Sequence, residues 1–293
     1  MEPAWCGTWT KSKGRGMNNV FYIGGGTFSN FVVNGYGYFS ELRATIAEKL
    51  LDTQPFNAGT WQRLDVSQSD AHATYELLNA MIQIPIPESM EDAQQAVQPS
   101  LPWAEDHFQE RVGGEPVNPG STHHYWPFHG QGMDLHLRKT IYDHNYMERI
   151  WPKEAGWDCD QSVIPHFGIR FAYGDLDDVV DLLQREPHTR QAYLPIWFPE
   201  DTGVNANQRV PCTIGYHFIV RDGQLHVQYN MRSLEIYRHL TNDVYLAMRL
   251  AQWVARRIGV SPGVLTMHAV SLHGFVGDRH HIERMADNYA PLP

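Results

Sequence analysis

Residues 209–233 read "RVPCTIGYHFIVRDGQLHVQYNMRS". Two runs of alternating apolar residues, "CTIGYHFIV" and "LHVQYNMRS", flank Arg221-Asp222-Gly223-Gln224. An Asp-Gly pair between such runs predicts a tight antiparallel hairpin. Pairing would bring Cys212, at the start of one strand, beside Arg232-Ser233 at the end of the other. A cation next to a thiol favours the thiolate, and the same guanidinium can hold an anion through charge-assisted hydrogen bonds. These residues alone leave Cys212 open between a reactive nucleophile and an inert apolar cysteine.

The flanking sequence is regular. "TNDVYLAMRLAQWVARRIG" (241–259) places Val244, Ala247, Leu250, Ala251 and Val254 on one helical stripe, with Thr241 or Asn242 as cap and Gly259 as stop. "GVLTMHAVSLHGF" returns as a strand. Upstream, "FGIRFAYG" and "RQAYLPIWF" read as strands around a helix in "DLDDVVDLLQRE", capped by Asp175. In the first half, "FSELRATIAEKLLD", "ATYELLNAMI" and "AEDHFQERV" read as helices, the last stopped by Gly113-Gly114, and "TWQRLDV" as a strand. "NNVFYIGGGTFSN" is a short strand entering a glycine-rich tight turn without the full dinucleotide-binding pattern. Residues 84–103, rich in proline, are expected as a surface excursion, and 115–165 as a long ordered insertion with a short helix. The expected class is α+β: a mixed, mainly antiparallel sheet with packed helices. Residues 1–58 are expected as an N-terminal extension of strand, glycine-rich turn and helix, and 59–293 as the main domain carrying the 115–165 insertion.

Composition narrows the function. A net charge of -10 over 293 residues argues against binding a nucleic-acid polymer. No apolar run is long enough for a membrane span, and the basic start has no apolar stretch behind it, so no signal peptide is expected. An odd three cysteines fit a reducing compartment, the cytosol. The 16 histidines include no HExxH or Cys-pair spacing, so no metal site is expected.

From about residue 167 to 280 the chain resembles the thymidylate synthase superfamily. "EPHTRQ" stands where that family has its phosphate loop, "VPCTIGYHFIVRDGQL" resembles its catalytic-cysteine hairpin, and "QYNMRS" its Arg-Ser segment. "LTNDVYLA" and "VSLHGF" stand at its base-reading and sugar-binding segments. "NMRS" and "TND" look closer to the deoxycytidylate hydroxymethylases of bacteriophages: Asp243 replaces an asparagine that reads uracil, and a carboxyl group suits cytosine.

The resemblance implies the thymidylate synthase fold, a homodimer, and transfer of a one-carbon unit from 5,10-methylenetetrahydrofolate to C5 of a pyrimidine nucleoside monophosphate, dCMP first. Cys212 is then the nucleophile at C6, Asp243 and Asn242 read the base, and Arg232 with Ser233 holds the phosphate. Arg190 arrives from the partner subunit, and His273 holds the sugar hydroxyl. Glu105, followed by Phe108, is the expected general acid/base, with Glu76 as its competitor. Gln191 and Phe275 depart from the family's second phosphate-loop arginine and its sugar-binding tyrosine. The alternatives are CMP hydroxymethylation, thymidylate synthesis or dUMP hydroxymethylation, and a non-catalytic nucleotide binder.

Overall fold

A computed structural model of the chain describes residues 20–22, 38–61, 64–129, 137–138, 141–154, 174–202 and 209–287. The glycine-rich turn expected after residue 22, most of "FGIRFAYG", and Cys6 and Cys159 lie outside these residues.

A six-stranded sheet carries the fold. Its strands are β1 (Val20–Tyr22), β4 (Thr74–Pro85), β10 (Ser261–Phe275), β9 (Gln224–Glu235), β8 (Thr213–Arg221) and β7 (Tyr193–Pro195), in that spatial order. The β1–β4 and β10–β9 pairs are parallel and the other three antiparallel. Two small ribbons, β2–β3 (Thr60–Trp61, Leu64–Asp65) and β5–β6 (Leu137–Arg138, Ile141–Tyr142), stand apart from it. The helices are α1 (Tyr38–Leu51), α2 (Met90–Val97), α3 (Trp103–Arg111), α4 (Tyr146–Ile150), α5 (Leu176–Arg185), α6 (Leu240–Ile258) and α7 (Arg279–Asp287).

The hairpin forms as its sequence dictates. Asp222 (φ +50°) and Gly223 (φ +73°) adopt consecutive left-handed conformations, the two-residue turn whose twist matches antiparallel strands. Helix α5 carries a reciprocal cap: Asp178 N–H donates to Asp175 Oδ1 (3.1 Å) and Asp175 N–H to Asp178 Oδ2 (2.9 Å). Its stripe of Leu176, Val179, Val180 and Leu183 is buried. Helix α6 ends at Gly259 (φ +73°) as expected, but its N-cap is His239. Thr241 and Asn242 lie inside the first turn, and their side chains bond elsewhere: Thr241 Oγ1 accepts from Arg43 (3.2 Å), and Asn242 Oδ1 from Ser100 N–H (2.9 Å).

One element differs in kind. "ATYELLNAMI" is part of strand β4, not a helix. Its buried residues are Tyr75, Leu77, Ala80, Ile82 and Ile84, with a step of three where a strand should step by two. Asn79, in a left-handed conformation (φ +53°), breaks the alternation there, and the resulting spacing imitates a helix. The break crosses the sheet. On β10, beside it, burial steps from Ala269 to Leu272, and on β9 from Met231 to Leu234. Adjacent Arg232 and Ser233 can therefore both face the same cavity, which a regular strand would forbid. The stretch 84–103 likewise holds more order than expected: the end of β4, helix α2 and the start of α3.

Phe39, Leu42, Ile46 and Leu50 of α1 belong to the same buried core as the sheet and α6. With β1 paired to β4, the described part of 1–58 shares the core of the rest.

Candidate active site

A cavity of about 1030 Å³ opens where β9 and β10 end, β8 begins and α6 starts. Its volume is at the upper end for ligand sites. Cys212, half-buried, sits on the wall just before β8, and Arg232 N–H donates to its carbonyl oxygen (2.8 Å). The Arg232 guanidinium folds back over the same loop: Nε donates to Pro211 O (2.8 Å), Nη2 donates to Val210 O (3.1 Å), and Nη2 lies 4.0 Å from the Cys212 sulfur. Arg232 thus fixes the loop that presents the thiol. Its Nη1 makes no hydrogen bond among the described residues and is available to an anion. Ser233 lines the same wall.

Asp243, in the first turn of α6, also lines the cavity. Burial pushes its carboxyl up to about 7, with the Arg111 charge pulling the other way. Near neutral pH the group is therefore partly protonated and offers one donor and one acceptor together. Tyr146 belongs to this cluster. Its hydroxyl accepts from Thr213 Oγ1 (3.2 Å), and Arg111 Cζ lies 4.4 Å from its ring centroid. Burial, then the charges of Cys212 and Asp243, raise its pKa.

His273, near the end of β10, lines the cavity, and burial lowers its pKa to about 4, so it is neutral. Its Nδ1 is buried without a hydrogen-bond partner among the described residues. Asn242 reaches the wall too, but its amide is engaged with Ser100, so little of it remains for a ligand. Arg190 is exposed in the loop before β7 and is not part of this cavity; its carbonyl oxygen lies 2.8 Å from His217 Nε2.

Glu105 is placed elsewhere than expected. It faces α6, not the cavity: Arg249 donates to both its oxygens (2.9 Å each), Tyr245 Oη donates at 2.6 Å, and Gln109 at 2.7 Å. Burial alone would raise its pKa, but these donors outweigh it and lower the value. It is a helix-to-helix anchor. Glu76 is not on the cavity wall either; its carboxylate accepts from Ser271 Oγ on the neighbouring strand. The α3 carboxylate that reaches the cavity is Glu110, one helical turn and a residue further on. Burial would raise its pKa, yet hydrogen bonds from His107, Thr122 and Ser121 carry it down to about 2.

A connected network follows. Arg111 Nε can only donate, so His107 Nε2 accepts (3.1 Å) and the proton sits on Nδ1, facing Thr122 Oγ1 (3.1 Å) and Glu110 Oε2 (3.4 Å). Burial and then Arg111 hold His107 neutral, with a pKa near 4. Glu110, His107, Arg111 and Tyr146 thereby link α3 to the Cys212 wall. Sequence reading missed them because "ERVGG" looked like an ordinary helix end and Tyr146 fell inside the expected insertion.

The far side is aromatic. Trp103 stacks on His107 (5.0 Å) and Trp126 on His239 (5.5 Å), and the buried Trp103 Nε1 has no partner among the described residues. Glu235, whose oxygens accept from Tyr237 and Arg238 N–H (2.8 and 2.5 Å), is pushed up to about 7 by burial. Among the described residues, no group of three or more His, Cys, Asp or Glu is arranged to hold a metal ion, and no helix is long and apolar enough to cross a membrane.

The thymidylate synthase family model matches residues 147–289. Thymidylate synthase of Enterobacteria phage T4 is 26% identical over 150 residues, 50% of each chain. Proteins named "Putative thymidylate synthase" are 33% identical over 111 residues in Methanosarcina acetivorans (38% of this chain, 50% of the relative) and 38% identical over 110 residues in Methanothermobacter thermautotrophicus (37% and 46%). The crystal structure of the T4 phage enzyme superposes with a TM-score of 0.56 at 16% identity, covering 85% of this chain and 80% of that one. The fold is that of thymidylate synthase. The sequence likeness to the thymidylate synthase family model is confined to residues 147–289. The chain spans about half the length of the curated relatives it matches. The thymidylate synthase-fold cavity thus takes walls from the matched half and, through Trp103, His107, Glu110 and Arg111, from the unmatched half as well.

Proposed function

We propose that this protein transfers a one-carbon unit to C5 of dCMP and completes the reaction with water, giving 5-hydroxymethyl-dCMP. The observation that carries the reading is the placement of Cys212, Arg232 and Asp243 on one cavity wall. Cytosine C5 is a weak nucleophile. Addition of the Cys212 thiolate to C6 breaks the ring conjugation and makes C5 enamine-like. Arg232 Nη1 and Ser233 take the phosphate, and Arg190 of a partner subunit completes that site in a homodimer. A protonated Asp243 donates to cytosine N3 and accepts from the N4 amine.

The cosubstrate is 5,10-methylenetetrahydrofolate, which supplies the carbon at the oxidation level of formaldehyde. The site fits it: the Trp103, Trp126 and His239 wall suits a flat heteroaromatic ring, and the orphaned Trp103 Nε1 and the Glu235 carboxyl offer polar contacts. Glu110 and Tyr146 are the groups that handle the proton: Glu110 is ionised and orders the water that receives the C5 proton, and Tyr146, kept protonated, donates a hydrogen bond there. Tetrahydrofolate is released as the exocyclic methylene forms at C5, water adds to that carbon, and the Cys212 thiolate is expelled from C6 as the hydroxymethyl product forms.

Methylation of dUMP is the second reading, favoured by the names of the matched relatives. Tritium release from [5-3H]-labelled dCMP, CMP and dUMP separates the two. The proposal expects release from dCMP, loss of it in Cys212→Ala, and a shift toward dUMP in Asp243→Asn. Release from dUMP alone would establish the second reading, and release from none would leave a nucleotide binder.

A further inference from the structure

The nucleotide reading leaves one end of the cavity unassigned. Beyond His273 the wall is formed by Trp61, His72 and Phe275. Trp61 lies 5.5 Å from His72 and 6.0 Å from Phe275 between ring centroids. His72 meets Phe275 edge-on at 6.3 Å, and His273 meets it at 5.6 Å. Such a box packs the C–H faces of a sugar well, but Phe275 offers nothing to its hydroxyls. Within the box the Trp61 indole N–H can only donate, and the ring nitrogens able to accept belong to the two histidines.

His72 is held firmly in its turn. Its Nδ1 lies 2.8 Å from Ser69 Oγ, and its N–H donates to Ser69 O (3.1 Å). Ser69 O is anchored in turn by Asn57 Nδ2 (3.1 Å). The turn is then pressed against the segment after β10: Val276 N–H donates to Ala73 O (2.8 Å), and Gly277 packs so closely that a Cβ there would stand 3.2 Å from Ala71 O. These contacts fix the ring between Trp61 and Phe275 and use Nδ1. Nε2 makes no hydrogen bond among the described residues, and the ring lines the cavity. His273 faces the same space with a neutral ring.

We propose that His72 Nε2 hydrogen-bonds the 3′-hydroxyl of the bound nucleotide, opposite His273, so that two imidazoles grip the sugar where Phe275 contributes only packing. The proposal rests on the nucleotide reading above. In dCMP the 3′-hydroxyl is the one free sugar hydroxyl, and it can donate to one ring while accepting from the other. Ser69 then sets the tautomer, since whichever partner carries the proton at Nδ1 decides whether Nε2 donates or accepts.

The test is calorimetric binding of dCMP and 2′,3′-dideoxy-CMP to the full chain, its His72→Phe variant, and the His72→Phe/Phe275→Tyr double variant. Phenylalanine keeps the aromatic box, and unfolding curves confirm that each variant is folded. The expected result is dCMP binding about tenfold weaker in His72→Phe, with dideoxy-CMP unchanged. The tyrosine hydroxyl of the double variant should restore much of the dCMP affinity. Equal loss for both ligands, or no loss for dCMP, overturns the role of His72 while leaving the nucleotide reading intact. A wild-type protein that binds neither ligand overturns the nucleotide reading, and this proposal with it.

Discussion

Replacing Asp243 by asparagine should change how stability depends on pH, and the sign can be worked out. The folded protein holds the Asp243 carboxyl at about 7 against an ordinary value of 3.8. Between those values the folded state binds a proton that the unfolded state has lost, so the group's contribution falls as pH rises, and the loss is complete above pH 7. The total is at most about 4 kcal/mol, and less because the carboxyl faces an open cavity. Glu235 acts in the same direction between 4.5 and about 7. His107, His239 and His273 act oppositely: burial lowers them from 6.5 to about 4, 3 and 4, so stability rises with pH through that window and is fully gained above 6.5. Between about pH 4.5 and 6.5 the three histidines outweigh the two carboxyls by one proton, worth about 1.4 kcal/mol per pH unit. From these groups the stability maximum falls near pH 6.5, with a decline toward 7. In Asp243→Asn the rise should steepen and the decline shrink. Urea unfolding at half-unit steps from pH 4.5 to 8 measures both curves. A difference between the two proteins that stays constant with pH would refute the raised Asp243 and the proton-sharing role built on it.

Glu105→Ala should cost about 3 kcal/mol, because it strands the Arg249 guanidinium between helices; activity per folded molecule should survive, as unfolding curves and tritium release together would show. Glu110→Gln should lose at least about a hundredfold in turnover per folded molecule, and also some stability, because an amide has a single acceptor oxygen for the donors of His107, Thr122 and Ser121. Arg232→Ala removes both the clamp on the Cys212 loop and the proposed phosphate contact, so dCMP affinity should fall by at least about tenfold, read by calorimetry. Gly215→Ala should destabilise strongly, since its Cβ would stand 2.6 Å from Leu194 O, and a melting temperature close to wild type would contradict the packing of β7 against β8.

The sequence carried the hairpin, helices α5 and α6 and strand β10 plainly, because their turns, caps and periodicity all agree on one structure. It misled at β4, where the left-handed Asn79 replaced a step of two with a step of three, and no propensity rule foresees that residue. The juxtaposition of Cys212 and Arg232 was legible because a hairpin fixes register by itself. Glu105 was not, since spacing to Phe108 says nothing about which side of α3 meets α6, and Arg249 lies 144 residues away. Tyr146 and His72 were hidden for a related reason: each reaches the cavity through tertiary packing of a single short helical turn.

The central claim is that Cys212 attacks C6 of a pyrimidine nucleotide. A fluorine at C5 cannot leave as a proton does, so 5-fluoro-dCMP with 5,10-methylenetetrahydrofolate should stall the reaction while the thioether is still in place. Mass spectrometry of the digested protein should then find nucleotide and folate together on the peptide bearing Cys212, and nothing on Cys212→Ser. An unmodified Cys212 peptide after incubation with 5-fluoro-dCMP and with 5-fluoro-dUMP would contradict the account.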